Sequence, residues 1–512
     1  MSKSKSEKED ELKGKPVHLK RVFTLWGCVA YVVSTMIGTG IFVTPKNVYM
    51  LTGSPAANLA VWIGTAVINF VCAFCYVELG LTFPKSGSDY VFIHEAFGEF
   101  PSFVFSFGLV VFRNSSARAA YALAFSNYFL QVFWEGCHPP ALLKKMLAAL
   151  VLSLLGVINS YSAKLGVQTA GVASMAKMLG VLSIVLPGIA YLFMGKTEYL
   201  EDFTANSSSD LGDYVTAFYG VYFTFSGAFF IVNVIEEVKE PVKKNLILSV
   251  ILSVGFVTVL FILTNVALMA VLSPSEIISS EAVANTFINK LFPGAKWFMP
   301  IIVAISVFGS VNNSIIHGSR LTLSGTRNGH FPESLSLVQN RLATPITSIV
   351  FNIVISIFMV SFNDIFSLIV YVSYLTNVTI ALSVFGLIYC RIKRPELKRP
   401  FKLPLVIPCL YVLVLLVLLI YPFYNKPFET SLSIVILLSG IPLYFLLVRK
   451  NSISENKKFL QFQSWITHTT QKLFLAVPAT FDDDNLVQTN GKSEAANGKP
   501  EGHRPLLNGN LD

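Results

Sequence analysis

Charged side chains are scarce in this chain. Asp, Glu, Lys and Arg together make up 13% of its 512 residues, where a soluble globular domain carries about 25%. Apolar blocks recur from Phe23 to Val448 and leave little soluble mass over, which excludes a large catalytic domain. No GxxxxGK[ST] phosphate loop and no HExxH zinc motif occurs, so ATP-driven transport and metalloprotease chemistry lack support. The apolar blocks hold few His, Asp or Glu residues, which counts against a polytopic membrane enzyme. Cysteine is also sparse, with six in all.

What is present is a succession of hydrophobic runs long enough to cross a bilayer, each crossing needing about 20 apolar residues. The sequence predicts an all-α polytopic membrane protein with about twelve transmembrane helices, at 23–44, 58–83, 103–131, 143–160, 168–194, 214–235, 246–272, 298–325, 346–362, 367–390, 404–422 and 431–448. The first run follows a charged tail but is long, lacks a small-residue cleavage site and leads straight into further spans. It therefore reads as a retained helix rather than a signal peptide.

The net charge of +9 is a statement about topology rather than nucleic-acid binding, because positive residues concentrate in cytoplasmic loops. With the N-terminus inside, the loop holding Arg391, Lys393, Arg394, Lys398, Arg399 and Lys402 is cytoplasmic. So are Lys239, Lys243, Lys244, Arg327 and Arg341, with Lys144 and Lys145 the main dissent. An even span count then puts both termini in the cytoplasm. Residues 1–22 and 479–512 are polar or Gly/Asn-rich tails expected to be disordered, flanking a transporter domain at 23–448. Residues 449–478 carry Phe459, Phe462, Trp465, Ile466, Leu473 and Phe474 among polar residues. They read either as an amphipathic helix on the inner leaflet or as a plain cytoplasmic helix.

Cys28, Cys72, Cys75, Cys390 and Cys409 lie in or beside apolar runs and read as small packing hydrophobes. The CxxC spacing of Cys72 and Cys75 has no nearby histidine to make a metal site. Cys137 differs. It sits in the polar turn Glu135-Gly136-Cys137-His138-Pro139-Pro140, on the side where disulfides persist. An odd cysteine there points to an intermolecular partner. The same topology puts the Asn206-Ser207-Ser208 sequon outside.

Two of the apolar runs contain sequence that would break a helix. The first holds Thr35-Met36-Ile37-Gly38-Thr39-Gly40-Ile41-Phe42 and the sixth Phe223-Thr224-Phe225-Ser226-Gly227-Ala228. Interruptions in corresponding positions of two halves mark transporter binding sites. Half-helix N-termini offer N–H groups to an anion, and freed carbonyls can receive an ammonium. A zwitterionic amino acid suits that pair of ends. Either glycine group alone reads equally as a close helix contact; the pairing of spans one and six favours the site.

Lys177 lies inside the fifth run, where a charge is expensive and is a functional-site hypothesis by default. Its ammonium could stand where a sodium-coupled relative binds an ion, touching carbonyls of the broken first span and making transport sodium-independent. The alternative is snorkelling to the interface. Glu78 reads as structural, and Arg113 and Arg118 in the third run are left open between lining a water-filled path and pairing structurally.

These residues carry a resemblance. Ile37-Gly38-Thr39-Gly40-Ile41-Phe42-Val43-Thr44-Pro45-Lys46 resembles the first-helix signature of the L-type amino-acid transporters. These are light chains of the heteromeric amino-acid transporters (solute carrier family 7) within the amino acid–polyamine–organocation superfamily. Tyr76-Val77-Glu78-Leu79-Gly80, Ile235-Glu236-Glu237-Val238, Ser319-Arg320-Leu321, Arg327-Asn328-Gly329-His330 and Arg399-Pro400-Phe401-Lys402 extend the likeness over residues 16–476.

The resemblance implies a five-plus-five inverted-repeat transporter fold with broken helices 1 and 6 and two helices appended. It implies a plasma-membrane exchanger disulfide-linked through Cys137 to a single-span heavy-chain glycoprotein, of rBAT type or 4F2 type. It also makes Lys177 the family's fifth-helix lysine. Met36, Gly38, Thr39 and Gly40 with Phe223, Ser226 and Gly227 would contact the substrate backbone, Phe223 as an aromatic gate. No cofactor or metal is implied.

The chain departs from the family at Ala228, where a tryptophan is common, and around Thr376 and Asn377 in the tenth span. These are expected to reshape the side-chain pocket. Ser226 resembles the members that select small neutral amino acids, an acidic residue there favouring cationic ones, so neutral substrates are expected. The competing readings are a uniporter or proton-coupled transporter working without a heavy chain, and, from other classes, a channel or a membrane enzyme.

Overall fold

The protein was analysed as a computed structural model that describes residues 21–478 apart from 39, 86, 134–138, 196–198, 200–202, 205–206, 281–282, 328, 340–341, 343, 363–364, 426 and 449–456. Cys137, Asn206 and the tails 1–20 and 479–512 therefore lie outside the described residues. Lys20–Pro478 forms one compact unit.

In chain order the helices are α1 (Leu25–Met36), α2 (Gly40–Thr52), α3 (Pro55–Thr82), α4 (Asp89–Phe97), α5 (Glu99–Phe107), α6 (Asn114–Gln131), α7 (Ala141–Tyr161), α8 (Ala163–Phe193), α9 (Leu211–Thr224) and α10 (Val242–Val271). They continue as α11 (Pro274–Ser279), α12 (Val283–Leu291), α13 (Phe298–Arg327), α14 (Ile346–Phe362), α15 (Ile365–Lys393), α16 (Val406–Ile420), α17 (Pro422–Asn425), α18 (Pro427–Leu438), α19 (Gly440–Leu443) and α20 (Lys457–Phe474). Among the described residues seven helical stretches are long and apolar enough to cross a membrane, and three more apolar helices are shorter. The two expected spans missing from both groups, 103–131 and 214–235, are both interrupted in the structure, as is the first span, of which only Leu25–Met36 counts among the shorter helices.

The starts of these helices follow from local chemistry. Thr24 Oγ1 accepts the Gly27 N–H at 3.3 Å to cap α1. Ser54 Oγ accepts the Ala57 N–H at 3.2 Å ahead of Pro55, which fits the first helical turn because its missing N–H would have no partner there. Ser273 and Glu276 form a reciprocal capping box on α11. The long helices expose apolar stripes. On α7 Leu142, Met146, Leu150, Leu154 and Val157 are exposed at helical spacing, and on α16 Leu410, Leu413, Val417 and Ile420. Such stripes suit hydrocarbon rather than water, while the helix satisfies its own backbone.

The interior is built around the broken sixth span. Phe225, just past α9, is fully buried and packs on Phe261 of α10 with ring centroids 5.1 Å apart, and Trp62 of α3 meets Phe261 at 5.6 Å. A short parallel bridge joins Phe23, ahead of α1, to Val238, after the sixth span. The Lys239 N–H donates to the Phe23 carbonyl at 2.9 Å, and the Val22 N–H to the Glu237 carbonyl at 2.9 Å. The chain entering the first span is thus tied to the chain leaving the sixth.

Glu78 of α3 is 1% exposed and accepts Arg391 Nε of α15 at 2.8 Å, a second contact from Arg391 Nη2, and the Leu403 N–H at 2.9 Å. That fits its structural reading. Two features were not anticipated. The third span is not one α-helix: a π-helical turn, Gly108–Arg113, separates α5 from α6. A two-stranded antiparallel sheet pairs β1 (Leu337–Gln339) with β2 (Ala476–Pro478) in the register Leu337↔Pro478, beyond α20, whose Phe462, Trp465 and Leu473 are exposed.

Candidate functional site

α1 stops at Met36 because the next residues leave the helical region. Ile37 has an extended ψ of 98° while its N–H still bonds the Val33 carbonyl. Gly38 follows, Thr39 lies outside the described residues, and α2 resumes at Gly40. The first N–H groups of α2 therefore have no partner within their own helix. The sixth span breaks in the same way. α9 ends at Thr224, Gly227 adopts a φ of +115°, and a 3-10 turn runs over Phe230–Glu237. Few residues other than glycine tolerate that φ.

The two breaks touch each other. The Thr35 hydroxyl bonds the Val32 carbonyl at 2.8 Å and reaches the Gly227 carbonyl at 3.5 Å. Thr44 and Thr224 share a hydroxyl hydrogen bond at 2.9 Å. A Cβ on Gly40 would meet the Thr224 side chain at 2.7 Å, and one on Gly227 would meet the Thr35 carbonyl carbon and oxygen at 3.2 Å. A Cβ at Gly40 would thus clash with Thr224, whereas at Gly227 it is the positive φ that favours glycine.

A cavity of about 110 Å³ opens beside this crossing. Its lining includes Met36, Gly38 and Gly40 from the first span and Thr224 and Ser226 from the sixth. It also includes Arg113, Asn114, Ala117 and Tyr121 of the third span, Ser310, Asn313, Ser314 and His317 of α13 and Ser373, Thr376 and Asn377 of α15. Gly227, which approaches Thr35 closely, and Ala228, fully buried, are not among the lining residues. Phe223 lies in α9, but its side chain is outside those described.

The lining is polar and incompletely satisfied. Asn114 Nδ2, His317 Nδ1 and Asn377 Oδ1 are buried with no hydrogen-bond partner among the described residues. Buried polar groups are normally paired, so these atoms mark places where a ligand or water belongs. Asn377 Nδ2 donates to the Tyr219 hydroxyl at 3.0 Å, and the His317 ring stacks on Phe230 at 5.0 Å and 11°.

Lys177 of α8 lies behind the first break, outside the cavity lining and 1% exposed. Its Nζ donates to the Ser34 carbonyl at 2.8 Å and to Ser310 Oγ at 3.2 Å. The Ser34 hydroxyl is also held, by Ser174 at 2.6 Å and Asn313 Nδ2 at 3.1 Å. The ammonium thus sits on a carbonyl of the last turn of α1, where a cation complements the negative helix end.

The two arginines left open by the sequence separate. Arg118 is fully buried and donates to Ser356 Oγ, Ser115 Oγ, the Ser314 carbonyl and Asn352 at 2.8–3.3 Å, which fastens α6 to α13 and α14. Arg113 lines the cavity. Sequence reading also passed over Tyr31, Tyr219, Tyr222 and the α13 residues. The signal for the latter was present: Ser310, Asn313, Ser314 and His317 recur at i, i+3, i+4 and i+7, which puts four polar residues on one face of a membrane-spanning helix.

Comparison with known proteins agrees with this architecture. The sequence profile of the amino acid permease family matches residues 23–447. The large neutral amino acids transporter small subunit 2 of Rattus norvegicus is 34% identical over 509 residues, covering 99% of this chain and 94% of its own. The cystine/glutamate transporter of Homo sapiens is 34% identical over 470 residues, covering 92% of this chain and 93% of its own. Asc-type amino acid transporter 1 of Mus musculus is 34% identical over 433 residues, covering 84% and 82%. With a profile spanning most of the sequence and relatives of this identity along nearly all of it, the chain is a multi-pass membrane protein of the amino acid permease family, in its L-type light-chain transporter branch.

Proposed function

We propose that the protein is a sodium-independent exchanger of L-amino acids working by alternating access. In this reading residues 23–448 form the transporter domain, and Cys137 joins it to a single-span heavy-chain glycoprotein in the plasma membrane, with both termini cytoplasmic. The observation that carries the reading is the cavity at the crossing of two interrupted helices. There the N–H groups at the start of α2 suit a carboxylate and the freed carbonyls an ammonium. The backbone of any α-amino acid supplies both.

The Nζ of Lys177 on the Ser34 carbonyl supports sodium independence, since an amine donor already occupies a carbonyl beside the first break. Neutral substrates were expected from Ser226, and among the described residues no Asp or Glu lines the cavity. A cationic side chain would therefore enter without a counter-charge, at a cost in this desolvated setting. Neutral amino acids remain compatible with the site, and the side-chain end of the cavity is taken up below.

The test is counterflow in membrane vesicles from cells expressing the full-length chain, in sodium-free medium. Labelled amino acid should enter only when unlabelled amino acid is loaded inside. Uptake indifferent to the internal pool would replace the exchanger with a uniporter or channel, and uptake that collapses without sodium would remove the role given to Lys177.

A further inference from the structure

Among the described residues that line the cavity Arg113 is the only Lys, Arg, Asp or Glu, and it is 6% exposed. Its position comes from the π-helical turn Gly108–Arg113 that interrupts the third span; such turns are frequent at functional sites. Its Nε donates to Thr376 Oγ1 at 2.9 Å, and its Cζ lies 6.0 Å from the centroid of the Phe230 ring. These two contacts hold the guanidinium at Nε and beside the Phe230 ring. No other hydrogen bond of Arg113 and no ion pair to it occurs among the described residues. Asp89 lies within electrostatic reach, its Oδ1 accepting from the Tyr76 hydroxyl and from Ser383 at 3.1 Å, but no ion pair joins it to Arg113 among the described residues. The contrast with Arg118 is direct: that buried guanidinium spends its donors on hydroxyls, carbonyls and an amide.

A desolvated guanidinium held by one nitrogen, with its two-pronged end uncommitted in a ligand cavity, is the geometry that receives a carboxylate bidentately. Asn114 Nδ2, next in sequence and without a partner, adds a further donor to the same wall. We propose that Arg113 is the specificity-determining residue of the substrate side-chain pocket, and that the preferred substrates are amino acids carrying a side-chain carboxylate. The proposal rests on the exchanger reading above and names its substrate class. Thr376 acts as a positioning residue by holding Nε, so that both terminal nitrogens face the substrate.

The experiment measures counterflow in vesicles containing the full-length chain and its partner, with labelled L-glutamate, L-aspartate, L-glutamine and L-leucine. The wild type should exchange L-glutamate or L-aspartate and favour each over its amide. Arg113→Gln should lower L-glutamate uptake by about 30-fold or more, the loss expected when one partner of a desolvated charge pair is removed, while L-glutamine uptake is kept or rises. Arg113→Lys, which keeps the charge but not the fork, should fall between.

A wild type that exchanges L-leucine or L-glutamine and excludes both acidic amino acids overturns this proposal alone. So does an Arg113→Gln variant with an unchanged glutamate-to-glutamine ratio. Failure of every amino acid to exchange overturns the exchanger reading and this proposal with it. The wild-type preference decides the matter even if the variants do not reach the membrane.

Discussion

Replacing Gly227 by alanine isolates the broken sixth span from everything else in the site. At φ +115° an alanine sits in a region that costs non-glycine residues about 1–3 kcal/mol. Its Cβ would also press on the Thr35 carbonyl carbon and oxygen, both at 3.2 Å and both backbone. The first span must then retreat by a few tenths of an ångström, or the turn must relax toward helix. Either response disfavours the interrupted conformer, and 1–3 kcal/mol corresponds to a factor of about 5–150 in its population.

Exchange per folded molecule should fall in that range. Folded protein would be quantified by fluorescence-detected size exclusion, and exchange by counterflow at matched amounts. Gly171→Ala is the control, since a Cβ there meets nothing within 4 Å on an exposed face of α8. Wild-type exchange by Gly227→Ala, with Gly171→Ala also unaffected, would refute the claim that the break must be held open by glycine.

Three further outcomes follow from the same geometry. Lys177→Met removes the donor to the Ser34 carbonyl and Ser310; leaving a buried carbonyl unpaired costs about 1–3 kcal/mol, so exchange in sodium-free medium should drop about tenfold or more at equal surface expression, and full activity would remove the lysine from the account. Arg118→Gln leaves groups on α13 and α14 without their donor and should lower the thermal midpoint of the purified protein without changing substrate selectivity; a selectivity change at unchanged stability would count against a purely structural role. Cys137→Ser should convert a high-molecular-weight band on non-reducing electrophoresis into the single chain, whereas a wild type already running alone would argue against a disulfide-linked partner.

How much of this was legible in the sequence differs from element to element. The apolar runs at 58–83, 246–272 and 298–325 correspond to the uninterrupted helices α3, α10 and α13, because length and hydrophobicity suffice when nothing breaks the helix. The split of 346–390 into α14 and α15 also matches. The third span did not read correctly. A π-helical turn inserts one residue per turn without any change of composition, so Gly108–Arg113 looks like ordinary helix in sequence. The strand pair β1–β2 joins residues far apart in sequence through three-residue segments too short to show alternation.

At the site, the glycines of both breaks announced themselves because their backbone role leaves a residue signature. The lining residues from the third span, α13 and α15 did not. Arg113 and Arg118 stand five residues apart in one helical run and look alike, and only their partners tell them apart. Ala228 was expected to shape the pocket, but the turn after Gly227 directs it into the core instead.

The central claim is that an amino acid lies between the two broken spans, its carboxylate toward the start of α2 and its ammonium toward the freed carbonyls. A density map of the full-length complex at saturating concentration of an exchanged amino acid tests it most directly. The account predicts ligand density bounded by Gly38, Gly40 and Ser226, with a side chain directed at Arg113 and Thr376. An empty crossing at saturation, or density bound elsewhere in the molecule, would contradict it.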